Sequence, residues 1–170
     1  MFFQLSRDYQ TKSIEIETPI EQTHGVQLSR PTTLVPILRA GAGMTDGILG
    51  MIPEARVGHI GVYRDEETKQ PVPYYCKLPV DIASGPVLLI DPMLATGGSA
   101  SYAAKILYDE YNCKELQMVC LVAAPEGVVK MKEDHPNLSI YTASLDRCLN
   151  ERGYICPGLG DAGDRIFGTV

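Results

Sequence analysis

Two uninterrupted aliphatic runs constrain the fold of this chain more than any other feature of its sequence. Residues 86–90 have the sequence PVLLI and residues 118–124 have MVCLVAA, and a helical pattern follows each run, over 99 to about 111 and 125 to about 135. Strands that are apolar on both faces are typical of parallel sheets covered by helices on both sides. Because residues 138–142 predict a further strand, the alternation indicates an α/β domain with a parallel sheet flanked by helices.

The rest of the chain adds less regular elements. Residues 13–18 alternate polar and apolar side chains, which predicts a half-buried strand. Residues 34–38 predict an imperfect strand, because Pro36 has no N–H to donate. Residues 57–63 and 72–77 predict a hairpin that protrudes from the core, joined by the charged turn RDEETKQP. From residue 144 to residue 170 the periodicity ends and glycine becomes frequent, and we expect one domain over residues 1–170.

Charge and cysteine content exclude several classes of protein. Acidic residues outnumber basic ones by 21 to 15, a net charge of −6 that disfavours binding to nucleic acid. Five scattered cysteines without a C-x-x-C pair predict neither a disulfide framework nor a zinc site. The longest apolar run, residues 118–124, is far shorter than the ~20 residues of a membrane helix. We expect a cytoplasmic protein with no membrane partner, since residues 1–10 also lack the basic region of a signal peptide.

The chemistry of the chain is concentrated in residues 91–99, DPMLATGGS, which we call the phosphate loop. It follows a buried strand and precedes a helix, the place where ligands bind in open α/β sheets. Gly97 and Gly98 let the backbone wrap an anion, and the hydroxyls of Thr96 and Ser99 add donors. Asp91 is placed to accept hydrogen bonds from ribose hydroxyls. The loop therefore predicts a ribose 5-phosphate site, the alternative being a simple turn in which Ser99 caps the helix.

A second glycine motif is a false match. Residues 158–163, GLGDAG, formally fit the G-x-G-x-x-G pattern of dinucleotide sites. That site requires a strand before the motif and a helix after it. Pro157 precedes the match and no helical pattern follows, so we reject a dinucleotide site here.

Five segments together resemble the uracil phosphoribosyltransferase family. They occur in the family's order from about Ser13 onward: ILRAG (37–41), YRDEET (63–68), LLIDPMLATGGS (88–99), CLVAAPEG (120–127) and GYICPGLGDAGDR (153–165). The resemblance implies a phosphoribosyltransferase-like sheet with a protruding hairpin over about 57–77. It also implies that residues 144–170, which are irregular and rich in glycine, bind uracil. We call these residues the base segment.

The same resemblance implies the reaction and the residues that perform it. The enzyme would transfer phosphoribose from 5-phosphoribosyl 1-diphosphate (PRPP) to uracil, giving UMP and pyrophosphate in pyrimidine salvage. Its catalytic residues would be Arg39, Arg64 and Asp91. Arg39 and Arg64 would hold the pyrophosphate, whose charge is shared with Mg²⁺ bound mainly through PRPP. PRPP would also contact Asp91, Pro92, Met93, Leu94, Ala95, Thr96, Gly97, Gly98, Ser99 and Asp161, and uracil would contact Ile155, Gly160, Asp161 and Ala162.

Purely structural roles are alternatives for some of these residues. Arg39 fits a surface salt bridge, Arg64 a solvated turn and Ile155 simple packing. Family members carry about 40 further residues before the strand expected near Ser13, so we expect part of the apolar core to lack its usual helical cover. This difference leaves an alternative function, a catalytically impaired relative that acts as a regulatory module binding PRPP or a uracil nucleotide. The resemblance also implies a homo-oligomer, dimer or tetramer, and makes GTP a candidate effector.

Overall fold

The computed structural model describes residues 1–65 and 71–169, with only the backbone of Arg64. The helices are α1 (Phe2–Leu5), α2 (Ala42–Leu49), α3 (Gly98–Asp109), α4 (Pro125–Asp134) and α5 (Ala162–Phe167). The strands are β1 (Thr11–Glu17), β2 (Gln22–Leu28), β3 (Thr33–Leu38), β4 (Arg56–Val57), β5 (His59–Arg64), β6 (Pro71–Lys77), β7 (Val87–Ile90), β8 (Met93–Leu94), β9 (Leu116–Ala123), β10 (Ser139–Leu145), β11 (Cys148–Leu149) and β12 (Ile155–Cys156). A short 3₁₀ turn, Ile82–Ser84, precedes β7.

The predicted α/β class is confirmed by the main sheet. Its strand order is β10-β9-β7-β3-β5-β6, with β4 beside β3 and β8 beside β9. All neighbours pair in parallel except β5 and β6, which form the antiparallel hairpin at one edge. Parallel pairing brings the carboxyl ends of β3, β7 and β9 to one edge of the sheet, where the phosphate loop begins.

The core explains why the central strands are aliphatic throughout. All four residues of β7 are fully buried, because α3 and α4 cover one face of the sheet and α1 and α2 the other. On the face covered by α1 and α2, Phe2 and Leu5 of α1 belong to one buried apolar cluster with Leu34, Leu88 and Ile90. The beginning of the chain thus supplies apolar cover to this face of the sheet, which the sequence did not indicate.

The hairpin and β3 are joined to the core more closely than their sequences indicate. At its base the hairpin belongs to the main sheet: β5 pairs in parallel with β3, and Ile60 and Val62 are buried in the core. Its predicted tip, residues 66–70, lies outside the described residues. Pro36 lies within a buried central strand, because the neighbouring strand is interrupted opposite it, between β4 and β5. The missing N–H of proline therefore costs little pairing.

The expected half-buried strand near residue 13 lies outside the main sheet. β1 pairs with β2 to form a separate two-stranded ribbon, and most of its side chains are exposed. The strand β2 was not predicted, since its sequence QTHGVQL is polar and lacks a clear alternation. A turn secures the pair: the Thr18 hydroxyl oxygen accepts hydrogen bonds from the backbone N–H groups of Ile20 and Glu21.

The end of the chain holds more regular structure than its composition indicates. β11 and β12 pair in antiparallel fashion, and α5 follows residue 161. The expectation that no helix follows the GLGDAG match is therefore wrong. The helix is defined by its ends rather than by periodicity, because Asp161 caps it through the N–H of Asp164 and Gly168 ends it with φ of 66°. In the part of the chain described, no helix is long and apolar enough to cross a membrane.

Candidate active site

The carboxyl ends of β3 and β7 open into a cavity of about 340 Å³. It is lined by Ile37, Leu38, Arg39, Ala40, Val62, Tyr63, Tyr74, Asp91, Ser99, Asp161 and Gly163. A smaller cavity of about 100 Å³ adjoins it and shares Asp91 and Ser99. The predicted PRPP residues Arg39, Asp91, Ser99 and Asp161 thus meet in one place, although they come from distant parts of the chain.

The smaller cavity is enclosed by the phosphate loop. Gly97 has φ of 79°, a left-handed conformation that side chains other than glycine rarely adopt. The Gly97 N-cap supplies no side-chain cap, and the N–H of Gly98 donates to the Thr96 hydroxyl at 3.4 Å. The next N–H groups of the helix, those of Ser99 and Ala100, are left available among the described residues. The alternative in which Ser99 merely caps the helix does not match this geometry. Met93, Leu94, Ala95, Thr96, Gly97, Gly98 and Ser99 all line the cavity.

Pro92 does not line either cavity. It is buried, and its carbonyl oxygen accepts hydrogen bonds from the N–H groups of Leu121 and Val122 in β9. The Leu94 carbonyl similarly accepts from the N–H of Ala124. These two predicted PRPP residues therefore use their carbonyls to attach the loop to the main sheet.

The N-terminal turn of α4 packs against the back of the phosphate loop. A Cβ atom on Gly127 would lie 2.3 Å from the carbonyl oxygen of Ala95 and 2.9 Å from that of Leu94. A Cβ on Gly97 would lie 2.9 Å from the Gly127 carbonyl oxygen. Only glycine permits this approach, so the motif CLVAAPEG supports the loop through its last residue.

Asp91 is largely buried at the junction of the two cavities. Its Oδ1 accepts a hydrogen bond of 3.0 Å from the N–H of Met93. Burial is the main cause that raises the pKa of Asp91 to about 7; the Met93 hydrogen bond opposes it, and the nearby Asp161 carboxylate adds to it. The site therefore favours ligands that supply hydrogen-bond donors or positive charge to this carboxylate.

Arg39 lies at the cavity and is already paired. Its guanidinium donates from Nη2 to Asp164 Oδ1 at 3.1 Å and from Nη1 to the Thr169 hydroxyl at 3.2 Å, and it lies 5.9 Å from the Phe167 ring centroid. The salt-bridge alternative for Arg39 is thus part of the structure, inside the site rather than away from it. The predicted role of Arg64 stays a prediction, because its side chain is outside the described part.

Gly41 permits close packing at the end of β3. A Cβ atom there would lie 2.4 Å from the carbonyl oxygen of Ile90, at the end of β7. The glycine therefore lets the turn after β3 pack against the neighbouring strand, which holds Arg39 beside Asp91.

Among the predicted uracil residues, Asp161 lines the larger cavity. Ile155 is buried and pairs with Leu149, as its packing alternative expects. Gly160 has φ of 78° with open space where a Cβ would stand, and Ala162 begins α5. The structure therefore brings Asp161 to the cavity, while Ile155, Gly160 and Ala162 do not line it.

Several residues that support the site were not found from the sequence. Tyr63 and Tyr74 line the cavity from the hairpin, with ring centroids 6.2 Å apart. Asp146 Oδ2 accepts a hydrogen bond of 2.8 Å from the N–H of Gly158, a residue with φ of 52°. The tyrosines could have been found from their position in a predicted hairpin beside the YRDEET motif. No local pattern marks Asp146, because its partner is a backbone group 12 residues away.

The carboxylates of the site suit a magnesium ion held mainly by a substrate. Mg²⁺ commonly binds one or two carboxylates together with substrate phosphate oxygens. Asp91 and Asp161 line one cavity, and the Asp161 carboxylate contributes to the raised pKa of Asp91, an effect that a cation would relieve. In the described ranges, no group of three or more side chains forms a metal site by itself.

Comparison with known proteins agrees with this geometry. The family model described as uracil phosphoribosyltransferase matches residues 1–169. A uracil phosphoribosyltransferase of Malacoplasma penetrans is 54% identical over 169 residues, which cover 99% of this chain and 82% of the relative. One of Lactococcus lactis subsp. cremoris is 58% identical over 171 residues, covering 99% of this chain and 81% of the relative. The relatives are thus longer than this chain.

Solved structures agree at the level of the fold. The AQ2163 protein from Aquifex aeolicus superposes with a TM-score of 0.90 and 36% identity, over 97% of this chain and 79% of that one. A hypoxanthine phosphoribosyltransferase from Staphylococcus aureus has a TM-score of 0.55 at 18% identity, over 87% of this chain and 69% of that one, and shares the fold alone. With a family model over nearly the whole chain and relatives more than half identical, the chain belongs to the uracil phosphoribosyltransferase family.

Proposed function

We propose that this protein transfers the 5-phosphoribosyl group of PRPP to uracil, forming UMP and pyrophosphate. The observation that carries the proposal is the junction of the two cavities at Asp91 in a chain that belongs to this family. The smaller cavity fits a phosphate, and the larger one has room for a sugar, a base and a diphosphate.

The PRPP half of the proposal rests on the phosphate loop. The 5-phosphate occupies the 100 Å³ cavity, where the hydroxyls of Thr96 and Ser99 and the free N–H groups of α3 donate to it. Asp91 accepts hydrogen bonds from the ribose hydroxyls. Arg39 binds the diphosphate in a bidentate manner, which requires it to turn from Asp164 toward the cavity. Arg64 is proposed to close over the diphosphate from the hairpin.

The uracil half rests on the base segment. Uracil presents donors and acceptors along one edge, which backbone groups at Ile155, Gly160 and Ala162 can recognise without a side chain. Asp161 connects the two halves, because it lines the cavity with Asp91 and also caps α5. We propose that it contacts both PRPP and the base.

The chemistry requires positioning and charge rather than a nucleophilic side chain. Uracil N1 forms a bond to C1 of the ribose while the C1–O bond to diphosphate breaks, the electron pair leaves with the diphosphate and the N1 proton is released. The ribose becomes cation-like in the transition state, which the buried Asp91 carboxylate stabilises. Asp91 and Asp161 are the carboxylates lining this cavity that would help to hold a PRPP-bound Mg²⁺, whose chemistry would be to neutralise charge on the diphosphate leaving group.

The direct experiment is conversion of labelled uracil to UMP in the presence of PRPP and Mg²⁺. We expect product only when PRPP is present, and EDTA to reduce turnover. A folded sample that forms no UMP would contradict the proposal and favour the regulatory module that binds without turnover. No feature of the described residues favours that alternative, and the proposal is supported by Arg39, Asp91 and most of the phosphate loop lining the two cavities.

Further implications of the family stay predictions. GTP as an effector is tested by adding it to the same assay, and a dimer or tetramer by light scattering. A cytoplasmic location is tested by fractionation of cells that express the protein.

A further inference from the structure

Glu126 connects the base segment to the helix that supports the phosphate loop. Its Oε1 accepts a hydrogen bond of 2.9 Å from the backbone N–H of Leu149 in β11. The two residues are 23 positions apart, so this is a tertiary contact and not part of a local turn. Glu126 is exposed and lies outside both cavities, so it does not touch a substrate bound there.

The bond is made at the base of the small ribbon that carries the base segment. Leu149 pairs with Ile155 of β12, and the N–H of Arg147 donates to the carbonyl of Cys156. The ribbon is outside the main sheet and each of its strands has two residues. Such a short pair has little stability of its own, so its position depends on contacts from neighbouring elements.

The residue after Glu126 makes the connection to the other half of the site. Gly127 packs against the Ala95 carbonyl of the phosphate loop so closely that no side chain fits between them. Two successive residues at the start of α4 therefore contact the two halves of the site, Gly127 the phosphate loop and Glu126 the base segment. Their spacing along one helix turn fixes the distance between the halves.

We propose that Glu126 is a positioning residue, which holds the uracil-binding segment at the correct distance from the phosphate loop. The inference rests on the proposed function, since it assigns the base segment to uracil. Loss of the bond loosens β11 and β12, while the phosphate loop keeps its own bonds to β9. The pKa of Glu126 lies below its usual range because the Leu149 N–H donates to it, so the bond persists across the neutral pH range.

A simpler role for Glu126 is favourable interaction with the dipole at the N-terminus of α4. The two roles differ in what they require. The dipole needs a negative charge, whereas the hydrogen bond needs an acceptor oxygen at that place. E126Q keeps the oxygen without the charge, and E126A removes both.

The test compares steady-state kinetics of E126A, E126Q and the control E133A, an exposed glutamate later in the same helix. We expect E126A to raise KM for uracil about fivefold, as loss of one hydrogen bond does, with KM for PRPP changed less than twofold. E133A should match the wild type, and E126Q, which keeps a weaker neutral acceptor, should lie between the wild type and E126A. Equal changes in both KM values, no change in E126A, or an E126Q that behaves as E126A would each overturn the proposal.

Hydrogen exchange provides a readout that does not require turnover. The amides of Leu149 and Ile155 should exchange faster in E126A than in E126Q, while those of Val122 and Ala124 beside the phosphate loop should not change. A wild type that forms no UMP would disprove the proposed function, and exchange at Leu149 would still decide whether Glu126 holds the segment. Unchanged exchange at Leu149 in E126A would disprove the positioning role of Glu126, whatever the activity of the enzyme.

Discussion

The phosphate loop is attached to the neighbouring strand by hydrogen bonds between backbone groups, whereas several backbone N–H groups of the base segment are held by side-chain acceptors in addition to its backbone bonds. Pro92 and Leu94 attach the loop to β9 through their carbonyls, and β8 pairs with the same strand. In the base segment, Glu126 and Asp146 accept from the N–H groups of Leu149 and Gly158, and Asn150 Oδ1 accepts from those of Arg152 and Tyr154.

This difference predicts how each half responds to substitution. Backbone bonds do not depend on the identity of the side chain, so the phosphate loop should tolerate many changes unless an added atom displaces the backbone. The base segment should instead be sensitive to individual carboxylates and amides outside the site.

The largest effect is expected from G127A, which inserts a methyl group between α4 and the phosphate loop. Because its Cβ would lie 2.3 Å from the Ala95 carbonyl oxygen, the loop must move. A misplacement of this kind can lower the catalytic rate about 100-fold, and we expect kcat/KM for PRPP to fall by that factor. KM for uracil should change much less, since the variant keeps Glu126 as the acceptor for the Leu149 N–H.

The matched control for that variant is G47A, in α2. Nothing lies within 4 Å of a Cβ atom at Gly47, so alanine should add about 0.5–1 kcal/mol of stability there without affecting kinetics. Urea unfolding and kinetics of both variants separate the local clash from a general effect of alanine. If G127A kept wild-type kinetics, the phosphate loop would be less constrained by α4 than the contrast requires.

The next effect concerns the carboxylate at the junction of the two halves. D91N keeps the hydrogen-bond acceptor for the N–H of Met93 but loses the negative charge. We expect kcat/KM for PRPP to fall by about 1.5–3 kcal/mol in free energy, as for hydrogen bonds to charged groups. Assays at limiting PRPP measure this directly, and a fully active D91N would disprove the ribose role of Asp91.

The same residue predicts a pH dependence of stability. Burial raises the pKa of Asp91 to about 7 in the folded protein, from an ordinary value of 3.8. The folded state thus keeps a proton that the unfolded state releases, so the contribution of Asp91 to stability falls as pH rises from about 4 to about 7 and stays constant above that. Above pH 7, the free energy of unfolding of D91N should exceed that of the wild type by about 2 kcal/mol. This is less than ~1.4 kcal/mol for each unit of the pKa shift, because solvent screens part of the effect.

Urea unfolding of both proteins between pH 4 and pH 8 measures that difference. The variants should have equal stability near pH 4 and diverge as pH rises. A difference that is constant over the whole range would mean that Asp91 titrates normally. In the same pH window, kcat/KM for PRPP in the wild type should fall below about pH 7, as the carboxylate takes up a proton.

The contrast between the halves also explains what the sequence could indicate. The phosphate loop follows the aliphatic strand β7 and contains adjacent glycines, so periodicity and turn chemistry predict both its fold and its ligand. α5 was missed because six residues between Asp161 and Gly168 carry no apolar periodicity, only caps at both ends. The bonds from Glu126 and Asp146 could not be predicted, since they join a side chain to a distant N–H group that leaves no trace in the local sequence.

The smallest effect is expected where the two halves meet at Arg39. Its guanidinium, at the end of β3 on the PRPP side, bonds to Asp164 and Thr169 around α5 on the uracil side. The Thr169 hydroxyl and Arg39 hold the pKa of Asp164 below its usual range, so this pair is charged at neutral pH.

D164N removes the charge while keeping an oxygen for Thr169, which lowers the cost of turning Arg39 toward a diphosphate. Because exposed ion pairs contribute ~0–1 kcal/mol, we expect KM for PRPP to fall about twofold, with global stability nearly unchanged. The effect should shrink as salt is raised, since screening weakens the pair in the wild type as well. R165A is the control, because Arg165 lies on the same helix and its guanidinium donates only to the Leu159 carbonyl among the described residues. If D164N instead raised KM for PRPP, the contact with Asp164 would hold Arg39 in the position that binds the diphosphate. Asp164 of the base segment would then assist the binding of PRPP, and would not compete with the diphosphate for Arg39.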